Sequence, residues 1–464
     1  MKKKILLTLL SFFTISINLS AYSTSYKISL AKNFDNNNTT KEHFGRNGEL
    51  TEKEKHIAKI AWKYFENNYQ PETGLVNAVN NYPSTTMWDI ASYMAALVSV
   101  YELNIINKND FDNRVSKLLR TFNKLEFFRG ELPNKVYHTK TSAKVNYTNK
   151  PGEIGYSAID LGRLLIWLKI IKERYPEHAN AIDFFVLKWN FCNVLDKEGT
   201  MFGTALQKDK VIYNQEGRLG YEEYAAKGFE LWGFNPEKAL KPEPFDYISI
   251  YNIDIPYDTR DPRYFYAHNY VVSESYILDA LELNWDTAND KEEKDKYHSD
   301  KFIYENAQKI YKVQEERFKQ TGIITARSEH QLDSAPYFVY DTIFTDGYAW
   351  NTITDEGKYV PQFAAVSLKA ALGLWVLWDT EYTDLIFDKI ADMYDPSSGY
   401  YEGIYENGSG YINTFTSNNN GIMLEALLYK VKGKLLKFSN NEGVWEKYLK
   451  DKFSPLKDKC LPEK

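Results

Sequence analysis

Hydrophobic and polar positions along the chain alternate between two regimes. Apolar stripes at helical spacing are separated by long loops rich in polar and aromatic residues, and the alternation occurs six times. The loops end near Trp88, Tyr156, Arg218, Asn269, Gln362 and Asn418, and each leads into a striped helix. From Trp88 the stripe is Ile90, Met94, Leu97, Val98 and Tyr101. From Ser157 it is Ile159, Leu161, Leu164, Leu165, Leu168 and Ile170, apolar almost all round, as in a helix covered on two sides. Five of the six are preceded by another helical stretch, at 52–68, 109–125, 177–195, 301–319 and 381–394. The sixth slot, around 236–250, holds Pro236, Pro242 and Pro244 and is degenerate.

Helix pairs in series can bury their apolar faces by closing into a ring. The pattern therefore predicts an all-α fold, an (α/α)6 toroid of six helical hairpins with the long loops crowding one rim. Residues 199–214 and 396–415 instead alternate like strands, the second around a Gly-rich turn at 406–410, so short β-hairpins are expected at that rim. Thr51-Glu52-Lys53-Glu54 reads as a capping box opening the first helix. The expected organisation is a signal peptide at 1–21, a flexible lead-in at 22–50, a toroid catalytic domain at 51–436 and a tail helix within 437–464.

Lys2, Lys3 and Lys4 precede an apolar run to Leu19, and Ala21 offers a small residue for cleavage, as in a secretory signal. Asn18 interrupts the run, which is short for a membrane span, so a periplasmic or secreted protein without stable membrane insertion is expected. Removing the three lysines leaves 54 basic against 63 acidic residues, a net charge of −9. That argues against nucleic acid as a partner and is compatible with a neutral or cationic glycan. Export would permit one disulfide, but the apolar run around Cys192 favours an inert thiol in a helix and a separate tail thiol at Cys460. Seven histidines without an HExxH or CxxC motif point to no metal and no cofactor, and a monomer is expected.

The 36 tyrosines and 10 tryptophans suit a sugar-stacking surface, although helical folds also bury many aromatics structurally. Cleaving a glycosidic bond takes two carboxyl groups across a cleft. Trp88-Asp89 opens one helix, where Asp89 is either a first-turn acid favoured by the dipole or a sugar ligand beside a stacking face. The segment 217–226, Gly-Arg-Leu-Gly-Tyr-Glu-Glu-Tyr-Ala-Ala, carries the strongest local signal. Glu222 continues the stripe of Ala226 and Phe229, whereas Glu223 falls with Lys227 at i, i+4. Asp160, one turn into a very apolar helix after Tyr156, favours pairing with Arg163 over a site role. Asp346 lies in a rim loop with Gly347, Tyr348 and Trp350, balanced between a partner carboxylate and an Asp-Gly turn. Glu402 lies on a strand after Tyr401 and is functional if its face meets the cup.

Trp88-Asp89, the segment from Glu216 to Ala226, Leu231-Trp232-Gly233-Phe234, and the run from Tyr400 to Glu406 together resemble the bacterial domain of unknown function 3131 family, related to glucoamylase-like (α/α)6 toroids. The resemblance runs from about residue 55 to 435 and implies exopolysaccharide processing or β-glucan hydrolysis outside the cytoplasm. Related glucanases carry an important Glu in a Gly-Tyr-Asn-Glu segment. Gly220-Tyr221-Glu222-Glu223 is similar to it, which emphasises Glu223 while periodicity prefers Glu222.

The expectation is thus an exported, inverting glycoside hydrolase acting on a poly- or oligosaccharide. Glu222 or Glu223 would be the acid and Asp346, Asp89 or Glu402 the base, with Trp88, Tyr156, Asp160, Arg218, Tyr221, Trp350 and Tyr401 binding sugar. The rival expectations are a polysaccharide lyase using Arg263, Tyr264, Tyr266, His268 and Asn269, and a non-catalytic glycan-binding protein.

Overall fold

A computed structural model of the protein describes residues 44–462, except 209, 243, 292–297, 440–441 and 451–456. The expected signal segment at 1–21 and the lead-in up to residue 43 lie outside the described residues. Of the lead-in, residues 44–50 are packed rather than loose. Phe44 inserts edge-on against Trp285, His298, Tyr304 and Trp378, and the Arg46 guanidinium lies 5.0 Å over the Trp375 ring.

The helices in chain order are α1 (Glu52–Asn68), α2 (Met87–Glu102), α3 (Lys108–Phe122), α4 (Ala158–Arg174), α5 (Pro176–Leu187) and α6 (Tyr221–Glu230). After the single turn α7 (Pro262–Phe265) comes α8 (Glu274–Leu278), prolonged by a π-helical turn at Asp279–Leu283. Then follow α9 (Lys301–Thr321), α10 (Leu368–Leu377), α11 (Glu381–Ile390), α12 (Ser417–Lys432) and α13 (Val444–Lys450). The six striped helices touch one another in the order α2, α4, α6, α8, α10, α12 and back to α2, which closes the ring. Glycines let the inner backbones meet. A Cβ on Gly162 of α4 would lie 2.4 Å from the Ala225 carbonyl of α6, and one on Gly421 of α12 would lie 2.8 Å from the Ser92 carbonyl of α2.

α1, α3, α5, α9 and α11 occupy the five predicted outer stretches. The Thr51–Glu54 capping box forms at the start of α1. Among the described residues of the proline-bearing sixth slot there is no helix; the strands Phe245–Ile250 and Ile253–Asp258 pair there instead, and the second packs on α9. The rim carries further short hairpins, including Phe202–Gln207 with Lys210–Gln215 and Gly403–Tyr405 with Tyr411–Ile412.

Two expectations are corrected. α5 stops at Leu187 rather than near 195, because the Phe191 N–H donates to the Lys459 carbonyl of the returning tail. Cys192 consequently lies beyond the helix, and its sulfur is bonded to that of Cys460 rather than left as a thiol. Trp445 of α13 packs edge-on against Trp232 on the same side.

Candidate active site

Three of the six inner helices begin in a common way. Thr86 caps α2 by accepting from the Asp89 N–H at 3.1 Å, and Ser157 caps α4 by accepting from the Asp160 N–H, also at 3.1 Å. Thr416 does the same for Asn419 on α12. Asp89 and Asp160 therefore occupy the same place on neighbouring inner helices. Each carboxyl accepts a hydrogen bond from its own cap, from Thr86 Oγ1 at 2.7 Å and from Ser157 Oγ at 3.2 Å.

Glu274, at the start of α8, is the hub of the floor. Its Oε1 accepts from Trp88 Nε1 at 3.1 Å and from Asn418 Nδ2 at 2.9 Å, and its Oε2 pairs with Lys369 of α10. The amide of Asn418 has no choice of direction, because its oxygen accepts from Arg163 Nη1 at 3.1 Å and Ser92 Oγ at 3.0 Å. Arg163 itself is fully buried between Glu282 and Glu425, at 3.6 Å from each, with its guanidinium 4.6 Å over Trp88. Asp160 therefore does not pair with Arg163 as expected from the sequence. Tyr221 lies 5.7 Å from Trp88, ring to ring, and its hydroxyl donates to Glu329.

Burial dominates the electrostatics. Asp160 is pushed up to about 7 by burial and then by the charges of Glu216 and Asp89, against the pull of Lys135. Glu402 is pushed up to about 7 by burial, opposed by Lys369 and Thr416 and reinforced by Glu274 and Asp89. Asp89 and Glu329 are also raised, chiefly by burial. Glu274 is the exception. Burial works against its charge, but Lys369 and Arg163 outweigh that and hold it below the usual carboxylate range.

Tyr147 reveals the shape of the mouth. Its side chain is 65% exposed, yet surrounding protein raises its hydroxyl, with Asp160, Glu216 and Asp355 adding to the effect. The part-exposed Asp89 and Asp160, in the first turns of the adjacent inner helices α2 and α4, open on one hollow at this end of the ring. Asp160 and Glu216 come from α4 and the loop before α6, whereas Asp355 comes from the loop before α10. Tyr270 and Tyr340, stacked at 4.0 Å, interact with Asp355 as well. Cavities of about 460 Å³ around Lys144 and Glu153 and of about 240 Å³ around Lys172 and Glu173 are also present. Glu153 is bound to Lys144 at 2.7 Å and Glu173 to Lys169 at 2.8 Å.

The structure does not bring every sequence candidate to the hollow. Glu222 is held by Arg260 at 2.6 Å and accepts from Gln215 at 3.2 Å. Glu223 turns back to accept from the Gly220 N–H at 2.6 Å, and Lys227, its expected i, i+4 partner, pairs instead with Asp279 and Asp300. Gly220 sits at φ +95°, and a Cβ there would meet Tyr276 at 2.8 Å, so this turn requires glycine. Tyr156 is fully buried, edge-on to Phe128. Arg218 is buried against Asp258, 3.0 Å away, and binds the Arg260 and Ala267 carbonyls, fastening the loop rather than facing sugar. Trp350 is covered by Arg317 at 4.5 Å, and Tyr401 stacks on Tyr411 at 5.0 Å. Asp346 is 2.7 Å from His268, a pairing that the isolated histidine did not announce. Tyr264 and Tyr266 are 81% and 77% exposed, and Arg263 is tied to Asp261.

Glu274, Glu329 and Lys369 escaped the sequence reading. Lys369 had a visible signal, being the one charge in the apolar run of α10. Among the described residues, Asp112, Glu177 and His178 could together ligate a metal, but Lys108 lies 2.9 Å from Asp112 and 2.6 Å from Glu177. No helix of the described residues is long and apolar enough to cross a membrane.

Residues 56–433 match the family described as "Protein of unknown function (DUF3131)". The chain belongs to this family. No curated protein matches it. Among solved structures it is similar to an endo-β-1,2-glucanase from Chitinophaga pinensis complexed with sophorotriose and glucose, with 13% identity and a TM-score of 0.57 over 84% of this chain and 94% of that one. A presumed glucoamylase from Bacteroides caccae matches with 11% identity and a TM-score of 0.60, covering 83% and 94%. The endo-β-1,2-glucanase from Talaromyces funiculosus, complexed with sophorose, matches with 13% identity and a TM-score of 0.54, covering 82% and 85%. At these identities the likeness establishes the fold, a glucoamylase-like (α/α)6 toroid.

Proposed function

We propose that the protein is an exported glycoside hydrolase that cleaves a poly- or oligosaccharide, a β-glucan or an exopolysaccharide, by two-carboxylate acid/base catalysis. The observation that carries this reading is the pair Asp89 and Asp160, set at equivalent first-turn positions of adjacent inner helices and opening on one hollow. Asp160 is raised by burial and by the charges of Glu216 and Asp89. Acids in such mutual repulsion do not all ionise together near neutrality, which is how one fold supplies both an acid and a base.

In this reading Asp160 donates its proton to the leaving glycosidic oxygen, and Asp89 removes a proton from the attacking water. Trp88 and Tyr221 offer aromatic surface to the sugar ring. The charge of Glu274 limits how readily Asp89 ionises, and the charge of Asp89 in turn raises Glu402. Water attacking from the face opposite the leaving group inverts the anomeric centre. Glu222 and Glu223, the acids that the sequence suggests, are less suited. One is neutralised by Arg260 and the other is spent on a backbone N–H.

The test is release of reducing ends from α- and β-glucans and exopolysaccharides, with the product anomer followed by NMR and the Asp160→Asn and Asp89→Asn variants alongside. Turnover that survives in both variants would remove the assignment. A retained anomeric configuration would replace inversion with a covalent route.

A further inference from the structure

The hollow treats its acids differently from the rest of the protein. Elsewhere, buried carboxylates commonly stand against a cation: Asp341 against Arg327, Asp183 against Lys172 at 2.6 Å, Asp286 against Lys434 at 2.9 Å and Glu54 against Lys430 at 2.6 Å. In the hollow, none of Asp89, Asp160, Glu216, Glu329, Asp355 and Glu402 forms an ion pair with any described residue. The two ammonium groups whose charge reaches these acids, Lys135 and Lys369, form an ion pair with none of them, and Lys369 is bound by Glu274. Glu402 is the sharpest case. It is 2% exposed, its Oε1 is satisfied by Thr416, and its buried Oε2 has no hydrogen-bond partner. A buried polar atom without a partner costs stability, so its persistence in this place calls for an explanation.

A neutral sugar hydroxyl can donate one hydrogen bond to such an oxygen but brings no charge. An ammonium group donates three and compensates the carboxylates around it. We propose that the hollow is built for a glycan carrying free amino groups, a polyhexosamine with at least some unacetylated residues, whose ammonium replaces the cation that these acids lack. This rests on the glycosidase reading of the same site and narrows its substrate class. The acidic balance of the chain favours the approach of such a polymer from a distance.

The experiment compares three hexamers on the mature protein by calorimetry and by product release: glucosamine, N-acetylglucosamine and β-1,2-linked glucose. The glucosamine hexamer is expected to bind about tenfold or more tightly than the other two, a gap that shrinks as salt approaches about 1 M. Glu402→Gln should narrow the same gap, with the fold checked by circular dichroism. Asp355→Asn, at an exposed rim position, provides a second variant should the first fail to fold. Equal or weaker binding of the glucosamine hexamer overturns the proposal. If the glucose hexamer is nevertheless cleaved, the hydrolase reading survives without it. Tight, salt-sensitive binding of the glucosamine hexamer without cleavage upholds the amine site and removes the hydrolase reading.

Discussion

Asp89 on α2 and Asp160 on α4 share a position with Glu223 on α6, in the first turn of an inner helix three residues past its cap. The repeat delivers an acid to the same place three times, but the surroundings diverge. The two aspartates are part-exposed to the hollow, and the hydrogen bonds to their carboxyls come from the cap hydroxyls Thr86 and Ser157. The α6 acids are sealed. Glu223 folds back to Gly220 N–H, and its neighbour Glu222 lies under Arg260, which Asp258 also holds. Position within a repeat is therefore a weak guide to chemistry, and what covers the acid matters more. A glycine cap offers no side-chain oxygen, so the α6 acid must satisfy its own helix end.

The largest effect that separates the two regions is on turnover. Asp160→Asn is expected to lower kcat by about 10²- to 10⁴-fold, the range for a general acid, with the melting temperature at about pH 5, below the Asp160 titration, nearly unchanged. Reducing-end assays beside a thermal melt check it. A large loss of melting temperature with residual turnover would place Asp160 among the structural acids and break the comparison.

Glu222→Gln should do the reverse. Removing the charge leaves Arg260 with Asp258 as its remaining acid, and the cost is about 1–3 kcal/mol of stability. Urea unfolding measures this, and kcat of the folded fraction should stay within about threefold of the parent protein. If stability holds and turnover vanishes, the sealed acid is the functional one.

The pH dependence of stability gives a third, intermediate contrast. Asp160 and Glu402 are each pushed to about 7 in the folded chain, above their unfolded values of about 4. Protonation thus favours the folded state, so their contribution is complete below about pH 4 and is lost as pH rises through about 7. Each should weaken the fold on the order of 1–3 kcal/mol across that window, and Asp160→Asn or Glu402→Gln should flatten its share of the slope. Urea midpoints at several pH values test this. An unchanged slope in both variants would mean that neither group is strongly buried.

The ring was legible because its signal is local and repeated. Alternating apolar stripes and loops locate five outer helices to within a few residues at most ends, and three prolines mark the slot where strands replace the sixth. The end of α5 was not legible, since what stops it is the backbone of a tail more than 260 residues away. In the candidate site, aromatic neighbours pointed to Asp89 and Glu402, whereas the apolar run around Asp160 favoured a structural pairing with Arg163. Glu274 offered no such cue, as Ser273-Glu274-Ser275 looks like any helix start, and only ring closure brings Trp88, Asn418 and Lys369 onto it. The emphasis on Glu222 and Glu223 failed to anticipate Arg260, a residue from a hairpin loop whose docking no spacing along α6 could reveal.

The smallest expected effect is also the most discriminating. Burial and the charge of Glu222 raise the Glu223 carboxyl well above the usual range, which favours its protonated form. A glutamine has nearly the same shape as that neutral acid and keeps a carbonyl oxygen for the Gly220 N–H, which the glutamate accepts at 2.6 Å. Glu223→Gln is therefore expected to change stability by less than about 1 kcal/mol and leave turnover intact, whereas Glu223→Ala orphans that N–H and costs about 1–3 kcal/mol. Urea unfolding and initial rates on one β-glucan measure both variants. Loss of turnover in Glu223→Gln with an unchanged unfolding midpoint would show that this proton is needed in the reaction, and the acid would then belong to α6 rather than to α4.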